Sequence, residues 1–239
     1  LLGGARRTSL SAYASLMRYT EPALVAENAA RAVSRGYQAI KLHETGVDQV
    51  RAARAAIGPK VHLMMDTNCA WTVEDALVTA AKLREFGLYW FEEPVFPPED
   101  HAGLARVRRE GGLRIAAGEN AISALDFRAL FNARAVDYAQ PSATKIGGIT
   151  ELMRIARIAS EHGVALAPHS PYFGPGLLAT LHVAAALAAE SMIEYSFCEL
   201  EASPLGDAIA VVNGRIALPT APGLGRDPDP QVLARYQVH

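Results

Sequence analysis

Cysteine is nearly missing: Cys69 and Cys198 are the only two in 239 residues, too few for a disulfide scaffold and without metal-finger spacing. That scarcity fits a reducing compartment, and a cytoplasmic location is expected. Net charge is also lacking, at -2 with a pI near 6.4, so no global cationic field exists to hold nucleic acid or an anionic membrane, and neither partner is expected. Apolar stretches are broken by charge or glycine before they reach membrane-spanning length. No phosphate-binding P-loop, dinucleotide glycine fingerprint or nucleophile-elbow serine occurs, which disfavours the chemistries those motifs carry. Lysine is scarce, with Lys41, Lys60, Lys82 and Lys145 the only four. What is present is a chain 50% hydrophobic and 20% charged, a composition that excludes disordered and fibrous classes and suffices for one large core.

Short β-branched or aromatic runs alternate with longer Ala/Leu/Arg-rich runs of helical period, the pattern of repeated βα units around a parallel sheet. Eight units are read, with strands ending near Leu16, His43, Asp66, Glu92, Glu119, Ser142, His169 and Glu194. Helix punctuation agrees. Thr72 and the acidic Glu74-Asp75 open one helix that Gly87 stops, Glu21-Pro22 opens another closed by Gly36, and Gly147-Gly148 precedes a third that ends at Gly163. From Ala202 the chain is rich in Pro and Gly and is expected to form an ordered wrap or short hairpin. The predicted fold is an α/β, TIM-like (β/α) barrel, one domain over residues 1–239.

In such a barrel, side chains at the carboxyl ends of the strands converge on one mouth. Asp66, Glu92 and Glu119 end three consecutive strands, so three carboxylates meet there. Taken singly, each acid is equally compatible with a helix N-cap or a surface ion pair; their regular spacing favours a common site. Like charges this close raise one another's pKa, and a divalent cation removes the conflict. All-oxygen ligation without Cys or a neighbouring His favours Mg²⁺. Period-2 alternation puts Glu92 on the face of Trp90 and Glu93 on the other, so Glu92 is the expected ligand and Glu93 a turn or supporting residue. Lys41 and His43, two apart on one strand, face the same mouth, and His169 reaches it from the seventh strand. An ammonium there can stabilise an oxyanion, or have its pKa lowered toward neutrality. His62, His182 and Cys69 read as structural, and Lys145 lies beyond its strand. A metal beside a Lys/His pair and a second His is suited to removing the proton α to a carboxylate, because the resulting enediolate needs cationic stabilisation. The expected partner is a small carboxylate substrate.

Lys41-x-His43, Asp66-x-Asn68, Phe91-Glu92-Glu93-Pro94, Gly118-Glu119-Asn120, Gln140-Pro141-Ser142-x-x-Lys145-x-Gly147-Gly148 and His169 together resemble, in order and spacing, the mandelate racemase/muconate lactonizing branch of the enolase superfamily. The resemblance covers roughly residues 10 to 225. It implies a modified (β/α)7β barrel, Mg²⁺ on Asp66, Glu92 and Glu119, Lys41 as the ammonium that stabilises the enolate, His169 as a base or acid, and Glu194 as a hydrogen-bonding or acid group near the substrate carboxylate. Asn68, Asn120 and Ser142 are expected to support these groups or contact substrate. Two departures bear on the reaction. His43 stands where the family's racemases carry a second lysine, and Ser142 stands where an aspartate orients the histidine. A serine can hydrogen-bond His169 but cannot stabilise an imidazolium by charge. The asymmetry favours dehydration of an acid sugar, with racemisation or lactone cycloisomerisation as the alternative; a glycoside hydrolase or a non-catalytic barrel accounts for fewer of these residues. The chain begins Leu1-Leu2-Gly3-Gly4, and the family's N-terminal capping domain is expected to be absent from it. Symmetric homo-oligomers are expected by the same resemblance.

Overall fold

Buried aliphatic runs pair as parallel strands, and the amphipathic runs between them pack outside as helices. The structure is a computed structural model that describes residues 1–238. The strands are β1 (Ser9–Ser15), β2 (Ala39–His43), β3 (His62–Asp66), β4 (Trp90–Glu92), β5 (Ile115–Ala117), β6 (Tyr138–Ala139), β7 (Ala165–Leu166) and β8 (Ile193–Ser196). Between them lie α1 (Pro22–Ser34), α2 (Val47–Ile57), α3 (Val73–Leu83), α4 (His101–Gly111), α5 (Ala124–Asn132), α6 (Ile149–Glu161) and α7 (Pro175–Ala186). Strands β1 to β7 pair in chain order and β8 returns to β1, making a barrel. Among the described residues β7 and β8 share no ladder. Ser191 Oγ donates to Leu166 O (2.6 Å), and Ser170 donates to Glu194 through both its N–H and its hydroxyl, so side chains bridge that seam.

The eight units read from sequence are corrected to seven. Strand β8 is followed by a short 3-10 turn at Gly206–Ile209 and not by a helix of its own, which gives the (β/α)7β form. The tail then forms a hairpin, β9 (Val211–Val212) and β10 (Arg215–Ala217), with β10 antiparallel to the start of β1, and ends in the short helix α8 (Pro230–Arg235). Its two-residue turn, Asn213-Gly214, has positive φ at both positions (49° and 69°), the conformation that tight hairpins require.

The predicted helix signals hold. Thr72 Oγ1 accepts from Asp75 N at 3.2 Å, a cap worth about 1 kcal/mol. Pro22 sits in the first turn of α1, and Gly36 and Gly87 take left-handed φ just past their helices. Strands β5, β6 and β7 are shorter than expected, ending before Glu119, Ser142 and His169. Pro141 and Pro168 have no N–H to continue a ladder, and Gly118 turns away at φ 133°. Those three residues therefore reach the mouth from loops.

Two cores result. The larger lies between strands and helices. The smaller fills the barrel with Tyr13, Ala39, Met64, Trp90, Ala116 and Ala167, large rings against small side chains. Tyr13 and Trp90 meet edge to face at 5.6 Å. Above this plug, Lys41, Glu92 and Glu194 come from even-numbered strands and Gln140 from the residue just after β6, the layering that alternate barrel strands produce. Among the described residues, no helix is long and apolar enough to cross a membrane.

Candidate active site

Parallel register sets His43 beside Asp66 and Asp66 beside Glu92, so all three face the interior at the carboxyl edge of the sheet. Lys41, one inward position below His43, is wholly buried. Its Nζ lies 3.0 Å from Asp66 Oδ2, 2.7 Å from Glu92 Oε1 and 2.7 Å from Glu194 Oε1. Burial opposes the Lys41 charge, but Glu194, Glu92 and Asp66 outweigh it and hold its pKa well above the usual lysine value. Of the two parts open to this lysine, the carboxylates around it favour the charged, oxyanion-stabilising one over a pKa lowered toward neutrality.

The carboxylates divide. Burial works against a charge on Asp66, yet Lys41 and His43 keep its carboxyl far below the ordinary range. The backbone N–H of Asn68, held at φ 48°, donates to its Oδ1 at 3.0 Å. Burial and then the Asp66 charge push Glu92 well up, although Trp90 Nε1 donates to its Oε2 at 2.7 Å. For Glu194, burial is outweighed by Lys41 and His169, and its carboxyl is lowered. Ser15 Oγ donates to Glu194 Oε1 at 2.8 Å.

Asp66, Glu92 and Glu119 each present an oxygen, and these oxygens lie within 4.8 Å of one another. The donor set is hard, and Lys41 is a single cation among Asp66, Glu92 and Glu194. The residues fit a divalent cation.

The histidines flank this group, and they are the catalytic candidates reachable from outside, with 27% and 12% of their side chains exposed against none for Lys41, Asp66, Glu92 and Glu194. His43 Nδ1 lies 2.6 Å from Leu16 O, which can only accept, so that nitrogen carries a proton. Its Nε2 is 3.2 Å from Asp66 Oδ2. Burial disfavours the charged ring, but the Asp66 bond raises its pKa overall. His169 Nδ1 is 2.8 Å from Glu119 Oε2 and 3.3 Å from Glu194 Oε2, at charge-pair distance but without hydrogen-bond alignment.

Other expected residues are placed differently. Ser142 does not bond His169: its hydroxyl is shared with Tyr172 (2.6 Å) and Thr144 (2.9 Å), and Tyr172 meets His169 edge to face. Asn120 supports Glu93, donating to both of its oxygens at 3.1 and 2.9 Å. Glu93 is the turn residue expected, at φ 44°, with its carboxyl raised to about 7 by burial and the charges of Glu119 and Asp66. Lys145 Nζ donates to Glu119 O at 2.9 Å, outside the cluster. Trp90, Ser15 and Tyr172 join the site beyond the residues expected from sequence. Trp90 carried a signal, two residues before Glu92 on the same face; the other two did not.

Residues 24–232 match the family described as enolase C-terminal domain-like. The chain belongs to that family. It is 32% identical to the D-galactarolactone cycloisomerase of Agrobacterium fabrum, over 100% of this chain and 68% of that protein. It is also 32% identical to the arabinonate dehydratase of Saccharolobus solfataricus, over 94% and 62%. Among solved structures, the L-talarate dehydratase of Polaromonas sp. JS666, complexed with Mg and L-glucarate, superposes with a TM-score of 0.85 at 34% identity, covering 98% of this chain and 65% of that one. The chain thus spans about two thirds of the length of these relatives.

Proposed function

We propose that this enolase-family barrel removes the proton α to the carboxylate of an acid sugar and expels the β-hydroxyl as water. The observation that carries this reading is the joint placement of the Asp66/Glu92/Glu119 triad, the buried Lys41 and two accessible histidines on either side. Mg²⁺ held by the three carboxylates would neutralise the substrate carboxylate and the charge that develops on it. His169 takes the α-proton on Nε2. The Glu119 and Glu194 carboxylates lie 2.8 and 3.3 Å from its Nδ1, on the side that Ser142 does not reach. Lys41 stabilises the enediolate electrostatically, a contribution that rests on its being fixed before reaction. His43, with its raised pKa, delivers a proton to the departing oxygen; the Cα electron pair forms the double bond as the β C–O bond breaks. The product tautomerises to a 2-keto-3-deoxy acid.

Cycloisomerisation of a sugar-acid lactone is the second reading, supported by the cycloisomerase among the relatives, and it uses the same enediolate. Incubation with Mg²⁺ and a panel of acid sugars in D₂O separates them. Dehydration yields a keto-deoxy acid lighter by one water, whereas isomerisation changes mass only by deuterium. Neither product nor deuterium uptake with any acid sugar of the panel would overturn both.

A further inference from the structure

At the end of the barrel opposite the mouth, an open groove of about 650 Å³ is lined by Arg108, Arg109, Arg114, Arg134 and Asp137, with backbone and small side chains between them. Arg114 immediately precedes β5 and Asp137 immediately precedes β6, so the groove sits at the amino ends of these strands. Its walls are the last turn of α4 and the turn after α5. The charge is one-sided, four guanidinium groups against one lining carboxylate.

Two of these arginines, Arg108 and Arg114, are held by side-chain contacts, and Arg109 and Arg134 are exposed on the rim. Arg108 donates to Asp137 Oδ1 from Nε (3.0 Å) and Nη2 (2.7 Å), and from Nη1 to Arg134 O (3.2 Å). Arg114 lies over the Tyr89 ring at 5.1 Å and donates to the Tyr138 hydroxyl at 3.0 Å. Arg134 stands at φ 54°, a left-handed position uncommon for residues other than glycine, in the turn just after α5. Arg109 pairs with Glu110 on the outer rim. Helix dipoles account for Arg108 and Arg109, which lie in the last turn of α4. They do not account for Arg114, which is in no helix. Among the described residues neither Arg114 nor Arg134 has a carboxylate at ion-pair distance.

We propose that this groove binds a small phosphate-bearing anion. A carboxylate satisfies one guanidinium fork in one plane, whereas the guanidinium groups lining this groove come from three segments, the last turn of α4, the residue before β5 and the turn after α5. Tetrahedral phosphate oxygens accept from several directions at once and match that arrangement. The net charge of -2 leaves no global cationic field, so four clustered arginines select a small ligand over a nucleic-acid polymer.

The test is isothermal titration with pyrophosphate and with ADP, at low salt and with EDTA present so that no metal at the mouth contributes. Saturable binding of either probe is expected, with Arg114→Ala and Arg134→Ala each weakening it about tenfold or more. Arg154→Ala, on the exposed face of α6, leaves it unchanged. Should either groove variant fold poorly, Arg109→Glu on the exposed rim reverses a charge without disturbing packing and is expected to weaken binding as well. No saturable binding of either probe to the parent protein, or binding that survives in a folded Arg114→Ala/Arg134→Ala protein, would overturn the proposal.

Discussion

Lys41 is one cation among three carboxylates, with no exposed surface to recruit water. Removing it leaves uncompensated buried charge, so Lys41→Met in metal-free protein should lose about 3–5 kcal/mol in a urea titration. Ser15→Ala, which deletes a single hydrogen bond to Glu194, should lose about 1–2 kcal/mol. A second residue makes a pH prediction. Burial and the neighbouring Tyr89 push the Tyr138 phenol up to about 12, so the folded chain holds that proton more tightly than the unfolded chain does. Its stabilising contribution is complete below the ordinary value of 10.0 and is lost as pH rises through about 12. Tyr138→Phe should therefore show a shallower alkaline loss of stability over that window, and the late step in phenolate absorbance should vanish with it. At this scale the sequence was informative wherever one strand carried both partners. Period-2 alternation put Trp90 and Glu92 on one face, and they bond. Ser15 and Glu194 lie 179 residues apart, and only ring closure makes them neighbours.

At the scale of elements, the hairpin β9–β10 is seated by backbone contact. A Cβ on Gly36 would come 2.7 Å from Asn213 Cα, and one on Gly214 would come 2.5 Å from Gly36 O. Gly36 also has φ 90°, so Gly36→Ala combines strain with collision, whereas Gly163→Ala, at φ 69° with open space around it, has strain alone. Chemical denaturation should show about 1–2 kcal/mol lost for Gly163→Ala and clearly more for Gly36→Ala. The hairpin was legible only as a Pro/Gly-rich tail, because its pairing partner β1 is at the other end of the chain. The barrel units were legible from near-constant spacing, but not the strand lengths. Glu119, Ser142 and His169 stand on loops because a glycine and two prolines end β5, β6 and β7 early, a local backbone effect that spacing does not report.

For the molecule as a whole, the mouth concentrates negative charge that a cation relieves, and binding confined to the folded state raises stability by mass action. Mg²⁺ at about 100 times its Kd should raise Tm by about 5–10 °C, readable by calorimetry against an EDTA control. Asp66→Asn should abolish most of that shift. The seam between β7 and β8 gives the same molecule a weak meridian. Every other strand junction is zipped by backbone amides, but this one is fastened by Ser170, Ser191 and Glu194. Amide protons there should exchange with solvent soonest of any in the barrel wall, and occupancy of the mouth, by fixing Glu194, should slow them. The barrel then breathes along the line where its chemistry is housed.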